Sequence, residues 1–260
     1  MSFKLIACDL DGTLLDNNKE VSTNTINRIN NLLNQGLLFV IATGRPFTGT
    51  KRYCDLFNKN MPVILYNGSI VRMSKTNELL FNVSLDKEDA KKIINIINEH
   101  QGTYIYWKDE IPFVNRIDDY INDYVKISKV TPKIDPKGDY DNITKIIWFD
   151  ENKNLLHFEE TLFGDLDKVN HFTSEAIYLE FVNKRASKEK ALESICDYYK
   201  IKKEDVITIG DGNNDIGLIK YAGLGVAMDN AKDNVKRAAK FITKSNNDEG
   251  VLFVLNKYLK

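Results

Sequence analysis

Proline, cysteine and histidine are scarce in this chain: 260 residues include five prolines, three cysteines and three histidines. Cys8, Cys54 and Cys196 lie far apart with no Cys-x-x-Cys spacing, so neither a disulfide framework nor a cysteine-based zinc site is expected. Reduced thiols in a cytosol fit this usage, and Cys8, inside an apolar run, reads as core. His100, His157 and His171 are isolated and read as surface or locally hydrogen-bonded side chains. Charge of one sign is also missing. Lys and Arg number 36 against 37 Asp and Glu, a formal net charge of -1, so no nucleic-acid or anionic-membrane partner is expected. No apolar run approaches the roughly 20 residues of a membrane span. The N-terminal MSFKLIACDLDGT turns acidic too early for the apolar stretch of a secretion signal, and a cytoplasmic location is expected. No internal repeat or low-complexity tract appears.

What is present is ordinary for a globular protein: 43% hydrophobic and 28% charged residues, in a length that allows one large domain or two modest ones. Short apolar runs alternate with helical patterns at both ends of the chain. Phe3–Cys8, Leu37–Ala42 and Pro62–Tyr66 read as buried strands. Ser22 or Thr23 can cap a helix with Ile26, Ile29, Leu32 and Leu33 on one face and Gly36 as its stop. A further helix is expected through Tyr53–Phe57. In the last third, SKEKALESICDYYK is helical, with Ala191, Leu192, Ile195 and Tyr199 at helical spacing. DVITIG is a strand, NNDIGLIKYAG a helix ending at Gly223, LGVAM a short strand, DNAKDNVKRAAK a helix and GVLFVLNKYL an amphipathic helix. Continuous apolar strands between helices argue for a parallel sheet covered on both faces. Between about Leu85 and Arg185, strands such as TYIYW and KIIWFD mix apolar and polar residues, which suits an antiparallel or mixed sheet with one solvated face. The fold class is therefore α/β, a Rossmann-like parallel-sheet core with an inserted α+β domain.

Four polar motifs each follow a strand or open a helix of the α/β part, where open α/β sheets bind ligands. In Asp9-Leu10-Asp11-Gly12-Thr13, two carboxylates two positions apart repel unless a cation lies between them or one is protonated. Mg²⁺ suits such oxygen ligands. An Asp can also attack phosphorus, with a second Asp as general acid and base. Gly12 permits a sharp turn and Thr13 can hold it by a hydrogen bond. The plainer alternative is an Asp-rich turn, and Asp16 reads as an ordinary loop residue. In Ala42-Thr43-Gly44-Arg45-Pro46, Thr43 offers a hydroxyl, the N–H groups around Gly44 can face an anion, and Arg45 can bind a substrate group; an ordinary βα turn fits equally well. Ser187-Lys188 opens a helix. A lysine there opposes the helix dipole unless an anion is near, although among so many lysines an exposed surface residue is the better expectation. In Gly210-Asp211-Gly212-Asn213-Asn214-Asp215, Asp211 can complete a magnesium shell with Asp215 supporting it, and Asn214 can donate to a phosphate; the alternative is a helix-capping cluster. Together these groups supply what phosphoryl transfer needs.

DLDGT, ATGR, the lysine of SKEKAL and GDGNND, in that order, resemble the four motifs of the haloacid dehalogenase superfamily. The long insert, and YNGS at Tyr66–Ser69, place the chain nearest the Cof-type phosphatases with a C2B cap. The resemblance spans nearly the whole chain and implies residues 1–84 and 186–260 as catalytic core and 85–185 as cap. It implies Asp9 as nucleophile and metal ligand, and Asp11 as acid and base with its carbonyl on the metal. Leu10 (through its backbone), Thr43, Gly44, Lys188 and Asn214 would hold the phosphoryl group, and Asp211 and Asp215 would complete the Mg²⁺ site. The implied activity is hydrolysis of small phosphate monoesters, such as sugar phosphates or nucleotides, through an aspartyl-phosphate. The alternatives are a phosphomutase or phosphotransferase of the same fold and a phosphate-responsive binding module. Arg45, Asn67 and Lys184 are substrate-contact candidates, and a monomer or weak homo-oligomer is expected. Two departures from the family pattern stand out: Glu189 after the lysine, and Asp229 in AMDNA. Each adds negative charge near the expected pocket.

Overall fold

A computed structural model describes residues 3–259 other than 137, 165 and 176. The chain divides into two compact units, one formed by Met1–Arg45, Thr50–Asn82 and Ser187–Lys260, the other by Pro46–Gly49 and Val83–Ala186.

Among the described residues, the first unit holds an eight-stranded sheet. Its order is Phe241–Ile242, Leu224–Ala227, Val206–Gly210, Leu5–Asp9, Leu38–Ala42, Pro62–Leu65, Ile70–Met73 and Leu79–Asn82. The first six strands run parallel, and each of the last two pairs antiparallel with the strand before it. Leu5 to Cys8 are fully buried, which is why this strand reads as an unbroken apolar run. The helix Lys188–Tyr199 lays Ala191, Leu192, Ile195 and Cys196 against Leu5, Ala7, Val40, Ala42 and Ile64. The helix Thr23–Asn34 is capped by the Ser22 hydroxyl, which accepts from the Thr25 N–H at 3.2 Å; such a cap stabilises by about 1 kcal/mol. The chain lays down strands outward from Leu5–Asp9 to Pro62–Leu65. It later returns on the other side of Leu5–Asp9 with Val206–Gly210, paired Cys8 to Ile209. The direction of building reverses between these two strands, and a crevice opens at their carboxyl ends.

Three expectations for this part need correction. The helix after ATGR spans Phe47–Cys54, not Tyr53–Phe57; Pro46 sets φ for a helix start directly after it. Phe57 lies beyond the helix and packs on Phe39 with ring centroids 5.3 Å apart. The helix expected over 229–240 is only Asp233–Ala238, because the preceding backbone turns to donate from Asp229 to the Lys244 carbonyl and from Ala231 to that of Met228. The segment 213–223 starts as a 3₁₀ turn, Asn213–Asp215, before the α-helix Ile216–Tyr221.

The second unit holds a six-stranded sheet in the order Val169–Glu175, Tyr178–Asn183, Ile143–Phe149, Thr103–Lys108, Ile111–Val114 and Lys133–Ile134. The pairs are antiparallel except the last. One solvated face was expected, yet every residue of Ile143–Phe149 is buried. On one face Tyr104, Tyr106, Ile146 and Trp148 pack with Ile93, Ile97 and Leu155 of the helices Lys87–Glu99 and Asn152–Thr161. On the other, Trp107 and Phe149 meet Tyr124 of the helix Asp119–Ser128 edge to face. The polar letters that suggested solvent neutralise each other inside: Lys145 Nζ lies 2.5 Å from Glu180 Oε2, and both side chains are only 9% exposed. Asp135 likewise accepts from the Tyr104 and Tyr106 hydroxyls at 2.7 and 2.9 Å. No helix among the described residues is long and apolar enough to cross a membrane.

Tyr66, Asn67 and Gly68 form a 3₁₀ turn in which all three have positive φ, 49°, 55° and 106°. A Cβ on Gly68 would stand 2.1 Å from the Ser187 carbonyl oxygen. Gly68→Ala combines backbone strain with a clash against main chain, and a loss of more than about 2 kcal/mol is expected. Denaturant unfolding measures it; a midpoint equal to that of the parent protein would contradict this packing.

Candidate active site

Asp9 ends the central strand with its carboxylate buried, 6% exposed. Asp211 follows the neighbouring strand, and Asp215 closes the 3₁₀ turn after it. One carboxylate oxygen from each of Asp9, Asp211 and Asp215 lies within 4.8 Å of the others. Lys188, the first residue of its helix and 1% exposed, donates to Asp9 Oδ1 at 2.5 Å and to Asp215 Oδ1 at 2.7 Å. The sequence favoured a surface position for this lysine; the structure buries it. Ser187, as N-cap, accepts from the Lys190 N–H at 3.1 Å and so fixes the turn that aims Lys188 inward. The other Asp215 oxygen accepts from the backbone N–H groups of Asp211 and Gly212 at 3.1 and 2.9 Å, so Asp215 shapes the loop that carries Asp211.

Burial pushes the Asp9 carboxyl well above the usual carboxylate range, with Asp215 and Asp211 adding to the rise and Lys188 opposing it. Burial works against the Lys188 charge, but Asp215 and Asp9 outweigh it and hold the ammonium above its ordinary value. Burial also raises Asp211, against a hydrogen bond from the Thr13 hydroxyl at 2.6 Å. Three carboxylates face one ammonium, which leaves two formal negative charges uncompensated. This donor set is all oxygen, anionic and partly buried, which suits a hard divalent cation such as Mg²⁺.

Asp11 lies outside that cluster. Its Oδ2 accepts from Arg45 Nε at 2.7 Å, and its Oδ1 from an Arg45 terminal nitrogen at 2.6 Å and from Lys19 Nζ at 2.9 Å. Burial works to raise its pKa, yet the hydrogen bonds from Arg45 and Lys19 hold it below the usual range. Two carboxylates two residues apart thus sit in opposite surroundings, which is how sites separate two roles. The intervening Leu10 is fully buried. Gly12, at φ 77°, makes the turn; a Cβ there would meet Asp211 Oδ2 at 2.5 Å, and its carbonyl accepts from Asn230 at 2.8 Å.

The other motif residues gather at the same strand ends. The Thr43 hydroxyl accepts from the Arg45 N–H at 3.2 Å, and the Thr43 carbonyl from the Asn67 N–H at 3.1 Å. Asn214 donates to Asn67 Oδ1 at 2.9 Å, and a Cβ on Gly44 would meet the same oxygen at 2.9 Å. Lys184 belongs to the second unit and is exposed. Glu189 turns toward the helix Ile216–Tyr221, its Oε2 2.7 Å from where a Cβ on Gly217 would stand. Asp229 is exposed and pairs with Lys236 at 3.2 Å. Sequence reasoning missed Lys19 and Asn230. For Lys19 the only signal was its place in the turn after Asp16. For Asn230 there was none, since Asn is abundant throughout the chain.

An open parallel sheet with a carboxylate cluster and a buried ammonium at its switch point defines an α/β enzyme. Residues 6–255 match the haloacid dehalogenase-like hydrolase family. The chain is 32% identical to YxeH, a candidate phosphatase of Bacillus subtilis, over 98% of each chain. It is 30% identical to a phosphoglycolate phosphatase of Methanopyrus kandleri, over 98% of this chain and 97% of that one. The crystal structure of TM0651 from Thermotoga maritima superposes with a TM-score of 0.90 at 32% identity, covering 98% of this chain and 97% of that one. The chain belongs to the haloacid dehalogenase-like hydrolase family.

Lys188→Met leaves Asp9 and Asp215 buried without their cation. In metal-free buffer this is expected to cost about 3–5 kcal/mol of stability. Urea unfolding in EDTA reads it, and an unshifted midpoint would show that Lys188 does not neutralise the cluster.

Proposed function

We propose that the protein is a Mg²⁺-dependent phosphatase of small phosphate monoesters, such as sugar phosphates or nucleotides, with residues 1–84 and 186–260 as catalytic core and 85–185 as cap. The observation that carries this reading is the convergence of Asp9, Asp211, Asp215 and Lys188 at one strand-end crevice, with Asp11 set apart from them. Two relatives named as phosphatases over nearly their full length support it.

Asp9, Asp211 and Asp215 would hold the metal ion, together with the Asp11 carbonyl. Bound there, Mg²⁺ supplies positive charge for the phosphoryl oxygens and for the carboxylates around it. Lys188 occupies Asp9 Oδ1, and we assign Oδ2 to attack. As Asp9 Oδ2 bonds to phosphorus, the bond from phosphorus to the ester oxygen breaks, and Asp11 gives its proton to the departing oxygen. The aspartyl-phosphate is then attacked by water, whose proton Asp11 takes, releasing inorganic phosphate and restoring Asp9. The Leu10 backbone, Thr43, Gly44, Lys188 and Asn214 hold the phosphoryl group through its charge and its oxygens. Arg45 and Asn67 stand beside these groups as contacts for the remainder of the substrate, and Lys184 is a third candidate.

Asp9→Asn removes the nucleophile and is expected to lower p-nitrophenyl phosphate turnover by at least about a thousandfold while circular dichroism stays that of the parent protein. Hydrolysis at the parent rate would sink the covalent mechanism. EDTA is expected to stop turnover and excess Mg²⁺ to restore it; chelator-resistant activity in a steady-state assay would exclude the proposed metal dependence.

A further inference from the structure

The loop after the first motif is built with more care than a connection requires. Asp16 Oδ1 accepts from the backbone N–H groups of Asn18 and Glu20 at 2.8 and 2.9 Å. The Asp16 N–H donates to the Glu20 carbonyl, and the Lys19 N–H to the Asp16 carbonyl, both at 3.0 Å. A single carboxylate thus staples the turn from within. Lys19, at its tip, has a positive φ of 63°, a conformation that costs a non-glycine residue energy and that gathers at functional sites. Its carbonyl accepts from the Tyr53 hydroxyl at 3.3 Å. From outside, Asn246 donates to the Leu15 carbonyl at 3.0 Å and to Asn17 Oδ1 at 3.2 Å, and Asn247 accepts from the Asn17 N–H at 3.0 Å. All of this holds a lysine whose side chain is half exposed and whose ammonium donates to Asp11 Oδ1.

We infer that Lys19 is a positioning residue for Asp11, and that the Asp16 staple exists to present it. The inference rests on the phosphatase reading above. An Asp carboxylate turns easily about its last torsion, whose energy well is broad. Arg45 grips both Asp11 oxygens from one side, and Lys19 holds Oδ1 from another. While its fork is in place Arg45 fixes the plane of the carboxyl group; Lys19, on a separate loop, keeps Oδ1 held when Arg45 turns to the substrate. That plane matters when the bond from phosphorus to the ester oxygen breaks, because Asp11 must then deliver its proton to the departing oxygen. Lys19 therefore acts on Asp11 by orientation as well as by charge, and its loss bears on proton delivery to the leaving group more than on attack by Asp9.

The test compares two esters by kcat/KM, which reports the steps through departure of the leaving group. An alkyl monoester, glucose 6-phosphate or glycerol phosphate, needs that proton. p-Nitrophenyl phosphate expels a stabilised phenolate and needs it little. Lys19→Met is expected to lower kcat/KM for the alkyl ester about tenfold and for p-nitrophenyl phosphate less than about threefold, a fraction of what general acid catalysis supplies in full. Lys19→Arg, which keeps a donor, is expected to restore most of the loss. Asp16→Ala should show the same selectivity, and combining it with Lys19→Met should add little, because both act through one contact. Equal losses on both esters, or no loss on either, would overturn the inference while leaving the phosphatase reading intact. Full additivity of the Asp16 and Lys19 effects would overturn the part given to the staple. A parent protein that hydrolyses neither ester in Mg²⁺ would overturn the phosphatase reading, and the inference with it.

Discussion

One ammonium among three carboxylates organises the first unit. Removing Lys188, Asp9 and Asp215 from water is expensive, and only close pairing offsets it. Lys188 meets both partners within 2.7 Å and is 1% exposed. Its place at a helix start is unfavourable with respect to the helix dipole, so the carboxylates are what hold it there. The partners come from distant parts of the chain, Asp9 lying 179 residues before Lys188 and Asp215 27 after. A parallel sheet built outward in two directions from one central strand is what brings them together. The turn at Tyr66–Gly68 serves the same end: its glycine lets the main chain come against Ser187, the cap that aims Lys188 inward.

Much of this was legible in the sequence, for a physical reason. Strands buried on both faces are apolar at nearly every position, so Leu5–Cys8, Leu38–Ala42 and Val206–Ile209 (with only Thr208 polar) stand out as runs, and polar letters right after them mark strand ends. Asp9, Thr43 and Asp211 could be chosen this way, and Lys188 by its place at a helix start. The burial of Lys188 could not, because a lysine in sequence carries no sign of its partners. The same gap explains the second unit. Lys145 and Glu180 look like solvent-facing positions, yet each neutralises the other in a covered sheet. Backbone-only devices were also hidden. The positive φ values at Lys19 and Tyr66 fall on residue types that usually avoid them, so composition gives no hint of them.

Glu189 and Asp229 show how an apparent departure is absorbed. Glu189 follows the buried lysine directly, but successive helix positions face different ways. Its carboxylate comes to lie by Gly217 instead of beside Asp9. Asp229 meets Lys236, one turn into the next helix. Neither adds charge to the cluster around Lys188, so neither alters the excess of negative charge that makes the cluster fit a divalent cation.

That excess bears on the two carboxylates of the first motif. Without metal, Asp9 is pushed up and Asp11 held down. On the phosphatase reading a nucleophile needs the ionised form and a general acid the protonated one, so each direction runs against the role assigned to that carboxylate. On the phosphatase reading, the two ligands of the reaction correct this in turn. A divalent cation among Asp9, Asp211 and Asp215 favours ionised Asp9. A phosphate dianion near Thr43 and Gly44 brings negative charge to Asp11 and competes with it for Arg45, and both effects favour the protonated acid. Lys19, held on its own stapled loop, can then keep Asp11 oriented when Arg45 turns to the substrate. On that reading the acid and the nucleophile are readied by different partners, the cation acting on Asp9 and the phosphate on Asp11.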